Sequence, residues 1–172
     1  IIFSKNFITD LRNIGIQNKC ILFTSAYWKK SKAYKDFIKI MKPICVIDDI
    51  KPNPELKFVF SQKIDFSNIE YCISLGGGSV LDFTKAIIAF YSCSYNKHKF
   101  NTTLVSNKLF LNEGVKLPKL ITIPTTSGTG SEINSWGTIW KNHLKLSVAG
   151  DMLRPKYAIL DASLCKSMPL KL

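Results

Sequence analysis

A short apolar run, Ile69-Glu70-Tyr71-Cys72-Ile73-Ser74-Leu75, leads directly into Gly76-Gly77-Gly78-Ser79 and then into an amphipathic segment over residues 80–91. Few folds accommodate that junction. The run is β-prone and reads as a buried strand. The segment after it carries Val80, Phe83, Ala86, Ile87 and Phe90 at helical spacing. Three consecutive glycines exceed what a plain strand-to-helix turn needs. Lacking Cβ atoms, they let backbone approach ligand oxygens. The helix start adds free N–H groups and the positive end of its dipole. Ser79 is placed to cap the helix and to donate to a phosphate. A pyrophosphate site is therefore expected, with a plain turn capped by Ser79 as the alternative. No Gly-Lys-Ser/Thr follows, and the spacing is not G-x-G-x-x-G, so a Walker loop and ATP hydrolysis are poorly supported.

The rest of the chain repeats the strand–helix alternation. Residues 19–24, 44–47, 118–124 and 157–161 read as further strands. Residues 25–41 read as a helix stopped by Pro43. Pro52-Asn53-Pro54 is a non-helical turn. Residues 92–117 read as a long, partly helical excursion. Residues 135–140 and 144–148 alternate like an antiparallel pair joined around Asn142-His143. Such alternation implies an α/β fold with a mostly parallel, Rossmann-like sheet flanked by helices, interrupted by a β-hairpin. Ligands of such sheets sit at the carboxyl ends of the strands.

A second loop follows the strand at residues 118–124. Residues 125–132 hold three threonines, two serines and two glycines. These small donors are suited to wrap the other side of a nucleotide, or to satisfy their own backbone through Ser/Thr turns. Asp82 and Lys85 lie three apart on the helix after the first loop. They read as a surface ion pair, or as an acid that orients a ligand hydroxyl or a loop amide. His98 and His143 are the only histidines. Neither has a Cys, Asp or Glu at metal-ligand spacing, so no metal residue is assigned, and no Ser-His-Asp arrangement is credible.

The formal charge of +12 comes from scattered lysines, with Arg12 and Arg154 the only arginines. No zinc-finger, RNP or recognition-helix signature accompanies them, so nucleic acid is not expected as a partner. The charge suits a domain that handles phosphates. The five cysteines form no C-x-x-C pair. Buried, reduced thiols and a cytoplasmic setting are expected. No apolar run reaches the roughly 18 residues of a membrane span, and Ile1–Phe3 is too short for a signal-peptide core.

Four segments in this order carry a resemblance: Pro52-Asn53-Pro54; Gly76 to Ala86, reading GGGSVLDFTKA; Ile123 to Glu132, reading IPTTSGTGSE; and Pro155 to Asp161, reading PKYAILD. Together they resemble the iron-containing, or group III, alcohol dehydrogenases over residues 19–169. The resemblance implies an N-terminal NAD(P)-binding α/β domain, here residues 1–172, and a C-terminal all-helical, metal-binding domain absent from this chain. Both termini of the sequence read as cut. By motif match, Gly77, Gly78 and Ser79 correspond to pyrophosphate contacts and Asp82 to the motif's acid. Asn53 corresponds to an asparagine near the adenosine end. Thr125, Thr126 and Thr129 correspond to contacts of the threonine-rich loop, and Lys145 to a lysine on the hairpin beside the cofactor. The implied activity is an NAD(P)-dependent oxidoreductase interconverting a small alcohol and aldehyde, homo-oligomeric when full length. Iron or zinc, held by an Asp and three His beyond the matched segment, would assist hydride transfer.

Two departures bear on this. NAD-preferring members often carry an Asp where Ser25 stands here, and Lys29 and Lys30 follow it, which favours NADP over NAD. The segment Trp136-Gly137-Thr138-Ile139-Trp140 resembles members that reduce phosphonoacetaldehyde. The alternatives are a non-catalytic or degenerate nucleotide-binding protein and a dehydroquinate-synthase-like lyase, whose loops differ from TTSGTGSE.

Overall fold

The computed structural model describes residues 1–106 and 114–166. Its first elements are a strand β1 (Ile2–Ser4), a helix α1 (Phe7–Asn13), a strand β2 (Cys20–Phe23), a helix α2 (Lys32–Met41) and a strand β3 (Cys45–Ile47). There follow α3 (Leu56–Ser61), β4 (Tyr71–Gly76), α4 (Gly78–Ser92), α5 (Lys97–Ser106), β5 (Lys119–Pro124), β6 (Trp136–Lys141), β7 (Leu144–Ala149) and β8 (Tyr157–Asp161). Six strands form one sheet in the order β1-β8-β5-β4-β2-β3, parallel at every pairing. The fold is thus the expected α/β architecture.

The apolar strand runs follow from this arrangement, because a parallel sheet is covered on both faces. Successive residues of β2 serve opposite cores. Ile21 and Phe23 pack with α3, α4 and α5 through Val59, Phe83, Ile87 and Phe100. Cys20 and Leu22 pack with α1 and α2 through Leu11, Phe37 and Met41. Phe83 is stacked 5.0 Å from Phe58 and tilted against Phe23 at 6.4 Å.

From β2 the chain crosses to the edge strand β3, then returns to the other side of β2 as β4. That reversal is the switch point at which open α/β sheets take ligands. The hairpin β6–β7 is inserted between β5 and β8 and pairs antiparallel, with Trp140 opposite Lys145. Its turn residues Asn142 and His143 have φ of 48° and 68°, the left-handed pair that a two-residue hairpin turn requires. The hairpin lies on α4 so closely that a Cβ on Gly137 would stand 2.8 Å from the Asp82 carbonyl oxygen.

One local expectation changes. The helix expected over residues 25–41 is broken. A 3₁₀ turn covers Ala26–Lys30, and Ser31 then caps α2 by accepting from the Tyr34 N–H at 3.0 Å. A serine hydroxyl placed to cap competes with continuing the helix. The partly helical excursion expected over residues 92–117 does hold a helix, α5, and its residues 107–113 lie outside the described residues. The short elements β1, α1 and α3 gave no sequence signal; α1 is capped by Asn6, whose Oδ1 accepts from Ile8 and Thr9.

All five cysteines are free thiols. Burial pushes Cys20 up to about 11 and Cys72 well above the ordinary thiol value. Unfolded thiols ionise first as pH rises, so the Cys20 contribution is fully present below pH ~9 and declines above it by about 1 kcal/mol per pH unit, and Cys72 acts in the same direction. Urea denaturation at pH 8 and pH 10 checks this, and Cys20→Ala should flatten the fall. No helix among the described residues is long and apolar enough to cross a membrane.

Candidate functional site

The two loops meet at the tips of neighbouring strands. β4 and β5 are paired through Gly76 and Pro124, and the Thr125 N–H donates to the Gly76 carbonyl at 3.0 Å. A Cβ on Gly77 would lie 3.2 Å from Thr126 Oγ1, and one on Gly78 would lie 3.0 Å from Thr129 Cγ2. Side chains at either glycine would fill the space between the loops. Gly128 and Gly130 hold φ of 94° and 65°, left-handed backbone that lets the second loop fold back on itself.

No side chain caps the start of α4. Gly77 is its N-cap, in extended backbone, and makes no side-chain cap bond. Ser79, expected as the cap, lies one residue inside the helix instead, and its Oγ accepts from the Asn53 N–H at 3.2 Å. The helix start therefore keeps the open N–H ends that favour an anion.

A crevice of about 300 Å³ lies beside these loops, at the small end of ligand clefts. Asn53, Gly78, Ser79, Asp82, Thr129 and Lys145 line it. Gly77, Thr125 and Thr126, also expected at the site, are not among its lining residues: Thr125 is buried, and a Cβ on Gly77 would lie 3.2 Å from Thr126 Oγ1. Asn53 is held with φ of 53° between two prolines. Lys145 reaches the crevice from β7, its Nζ 5.3 Å from the Trp140 ring centroid, a cation–π distance. Sequence reasoning missed the opposite wall, formed by Ser131, Asn134, Trp136, Thr138 and Trp140. The available signal was the alternation of residues 136, 138 and 140, which puts all three on one face of β6.

Asp82 and Lys85 are not a surface ion pair. Lys85 is 0% exposed. Its Nζ donates to Ser131 O at 2.7 Å, Ser131 Oγ at 3.2 Å, Asn134 Oδ1 at 2.6 Å and Trp136 O at 2.8 Å. The Ser131 hydroxyl in turn donates to Asp82 Oδ1, so a loop hydroxyl bridges the two charges. Burial lowers the Lys85 ammonium to about 8, Asp82 and Glu132 act in the opposite sense, and Arg154 adds to the lowering. Lysine goes wholly inside only where its charge is matched.

Near the tip of β2, Ser25 makes no side-chain cap bond. The Lys29 ammonium lies 2.8 Å from Asp48 Oδ1, and Asp48 Oδ2 accepts from the Tyr34 hydroxyl at 3.0 Å. The charge of Lys29 is therefore already matched by a carboxylate. His98 and His143 are both exposed. No group of three or more His, Cys, Asp or Glu among the described residues could hold a metal ion.

A parallel sheet whose strand order reverses, with a glycine loop and a threonine loop meeting at adjacent strand tips, defines the nucleotide-binding, Rossmann-like class of α/β domain. Comparison with known proteins places the chain within that class. The profile of iron-containing alcohol dehydrogenases matches residues 1–162, and the chain belongs to that family. NADP-dependent alcohol dehydrogenase 3 of Entamoeba histolytica is 32% identical over 146 residues, which cover 82% of this chain and 37% of that protein. An alcohol dehydrogenase of Thermococcus barophilus is 31% identical over 129 residues, covering 72% and 33%. Among solved structures, sulfoacetaldehyde reductase of Bifidobacterium kashiwanohense in complex with NAD+ has a TM-score of 0.78 at 24% identity, covering 98% of this chain and 46% of that one. At that identity the likeness concerns the fold. The chain spans between about a third and a half of the length of these proteins.

Proposed function

We propose that this chain is the NAD(P)-binding domain of an oxidoreductase that interconverts a small alcohol and its aldehyde. One observation carries the assignment: the two loops are locked together at adjacent strand tips, Thr125 N–H to Gly76 carbonyl, around glycines where an added Cβ would stand only 3.2 Å (Gly77) and 3.0 Å (Gly78) from the facing threonines. Such a cradle fits a diphosphate, which needs backbone N–H groups and close approach. When bound, the nicotinamide supplies hydride transfer. Gly77, Gly78 and Ser79 hold the diphosphate at the start of α4. Thr125, Thr126 and Thr129 close the other side. Asn53 and Lys145 line the flanks, and Asp82 keeps the threonine loop in place through Ser131 rather than meeting phosphate. The described residues do not fit a metal ion, so no step here runs through one. On this proposal the iron or zinc belongs to a helical half outside the chain, and the chain alone binds cofactor without turning over.

NADP(H) is the proposed cofactor. Ser25 stands at the tip of β2 without a carboxylate of its own, and Lys30, at the end of the turn that follows it, is exposed. The E. histolytica relative is named NADP-dependent. Because Asp48 matches Lys29, the preference rests on Ser25 and Lys30 and is modest. Titration of nicotinamide fluorescence should give NADPH binding about tenfold tighter than NADH, ~1.4 kcal/mol. A clear NADH preference removes the NADP assignment, and failure to bind either cofactor removes the oxidoreductase assignment. An anionic aldehyde of the phosphonoacetaldehyde kind is the narrower substrate proposal; its support is the Trp136–Trp140 segment together with the crevice position of Lys145.

A further inference from the structure

Nearly every link between α4 and the 131–136 segment runs through one ammonium. The four acceptors of Lys85 all lie on Ser131, Asn134 and Trp136, three residues that line the crevice. The Ser131 hydroxyl adds a second grip on α4 at Asp82. Within the loop, Ile133 and Asn134 N–H donate to Gly130 O, Ser131 N–H to Thr129 Oγ1, and Trp136 N–H to Asn134 Oδ1. Beyond these, Thr122 Oγ1 on β5 donates to Glu132 O, Arg154 reaches Ile133 O, the Gly150 N–H donates to Ser135 O, and Trp136 pairs with Ala149 in the hairpin. If the site only needed volume, an apolar side chain would fill it without desolvating a charge. A lysine instead specifies the distance between helix and loop.

We propose that Lys85 is a positioning residue for cofactor binding: from the helix that follows the glycine loop, it holds the 131–136 segment, and with it the threonine loop, at the separation the diphosphate crevice needs. This rests on the nucleotide assignment of the crevice. The groups facing the ammonium are Asp82 on its own helix, Glu132 on the loop and Arg154 beyond the hairpin. With its proton leaving near pH 8, the amine is left with two hydrogens for four acceptors, so the grip loosens as pH rises through that value.

The test titrates the full chain with NADPH and NADH by nicotinamide fluorescence, with amide hydrogen exchange in parallel. Lys85→Met should weaken binding at pH 7 by about tenfold or more, the scale on which sub-ångström misplacement acts. Exchange should accelerate over residues 129–136 while β4 and β5 keep their protection. Between pH 7 and 9 the wild-type affinity should fall, whereas that of Lys85→Met should stay level. Unchanged affinity at pH 7, or parallel pH slopes in the two proteins, overturns the proposal. Should Lys85→Met fail to fold, Asn134→Ala removes one acceptor from the same ammonium. It should cost about threefold in affinity and speed exchange over 129–136, and wild-type values in both would overturn the proposal. If the wild-type chain binds neither cofactor, the nucleotide assignment fails; exchange over 129–136 in Lys85→Met then still decides whether Lys85 holds the segment.

Discussion

Gly77→Val is expected to abolish NAD(P)H binding, weakening it about 100-fold or more, ~3 kcal/mol, while the domain stays folded. The two halves of this outcome have separate causes. Gly77 sits at φ −75° and ψ 178°, ordinary extended backbone that valine adopts without strain. Its Cβ would stand 3.2 Å from Thr126 Oγ1, tight but facing a hydroxyl that can rotate. The added methyl groups would then occupy the gap between the loops, where a diphosphate must touch the N–H groups of α4. Fluorescence titration measures the first half and thermal unfolding the second. A Gly77→Val chain that binds NADPH as the wild type does would leave the diphosphate assignment without support.

Gly137→Val is expected to act through stability instead. Its Cβ would meet the Asp82 carbonyl oxygen at 2.8 Å and the Asp82 Cα at 3.1 Å. Both belong to the backbone of α4, which cannot step aside as a side chain can. The hairpin must lift from the helix, and overpacking of this kind costs about 2–3 kcal/mol. Lys145 and Trp140 ride on the same hairpin, so cofactor affinity should fall along with stability. Thr138→Val, at the neighbouring residue whose side chain lines the crevice, serves as the control and should shift the urea midpoint little. Equal midpoints for the two variants would show that the hairpin does not bear on α4 in this way.

Much of this was legible in the residues because it is local. The buried strands announced themselves as apolar runs, the glycine loop by its position between a strand and a helix, and the hairpin by Asn142-His143. What escaped was set by partners far along the chain. Lys85 looked like half of a surface pair because its acceptors lie 46 to 51 residues away. Lys29 looked free to meet a 2′-phosphate because Asp48 lies just past the end of the next strand, β3. The break at Ser31 turned on whether its hydroxyl capped a new helix or rode within a longer one, a choice that apolar spacing does not record. β1 spans only three residues, too few for any periodicity to show.

The last strand among the described residues also fixes how the domain can be handled. β8 is parallel to β5 and, through it, to β4, so its carboxyl end points to the same pole as the crevice. β1 is parallel to β8, so Ile2 begins at the opposite pole. A reporter placed at Asp161, the tip of β8, therefore shares the pole of the crevice and would report on a ligand there or crowd it, whereas one joined ahead of Ile2 starts from the far pole and leaves the crevice side clear.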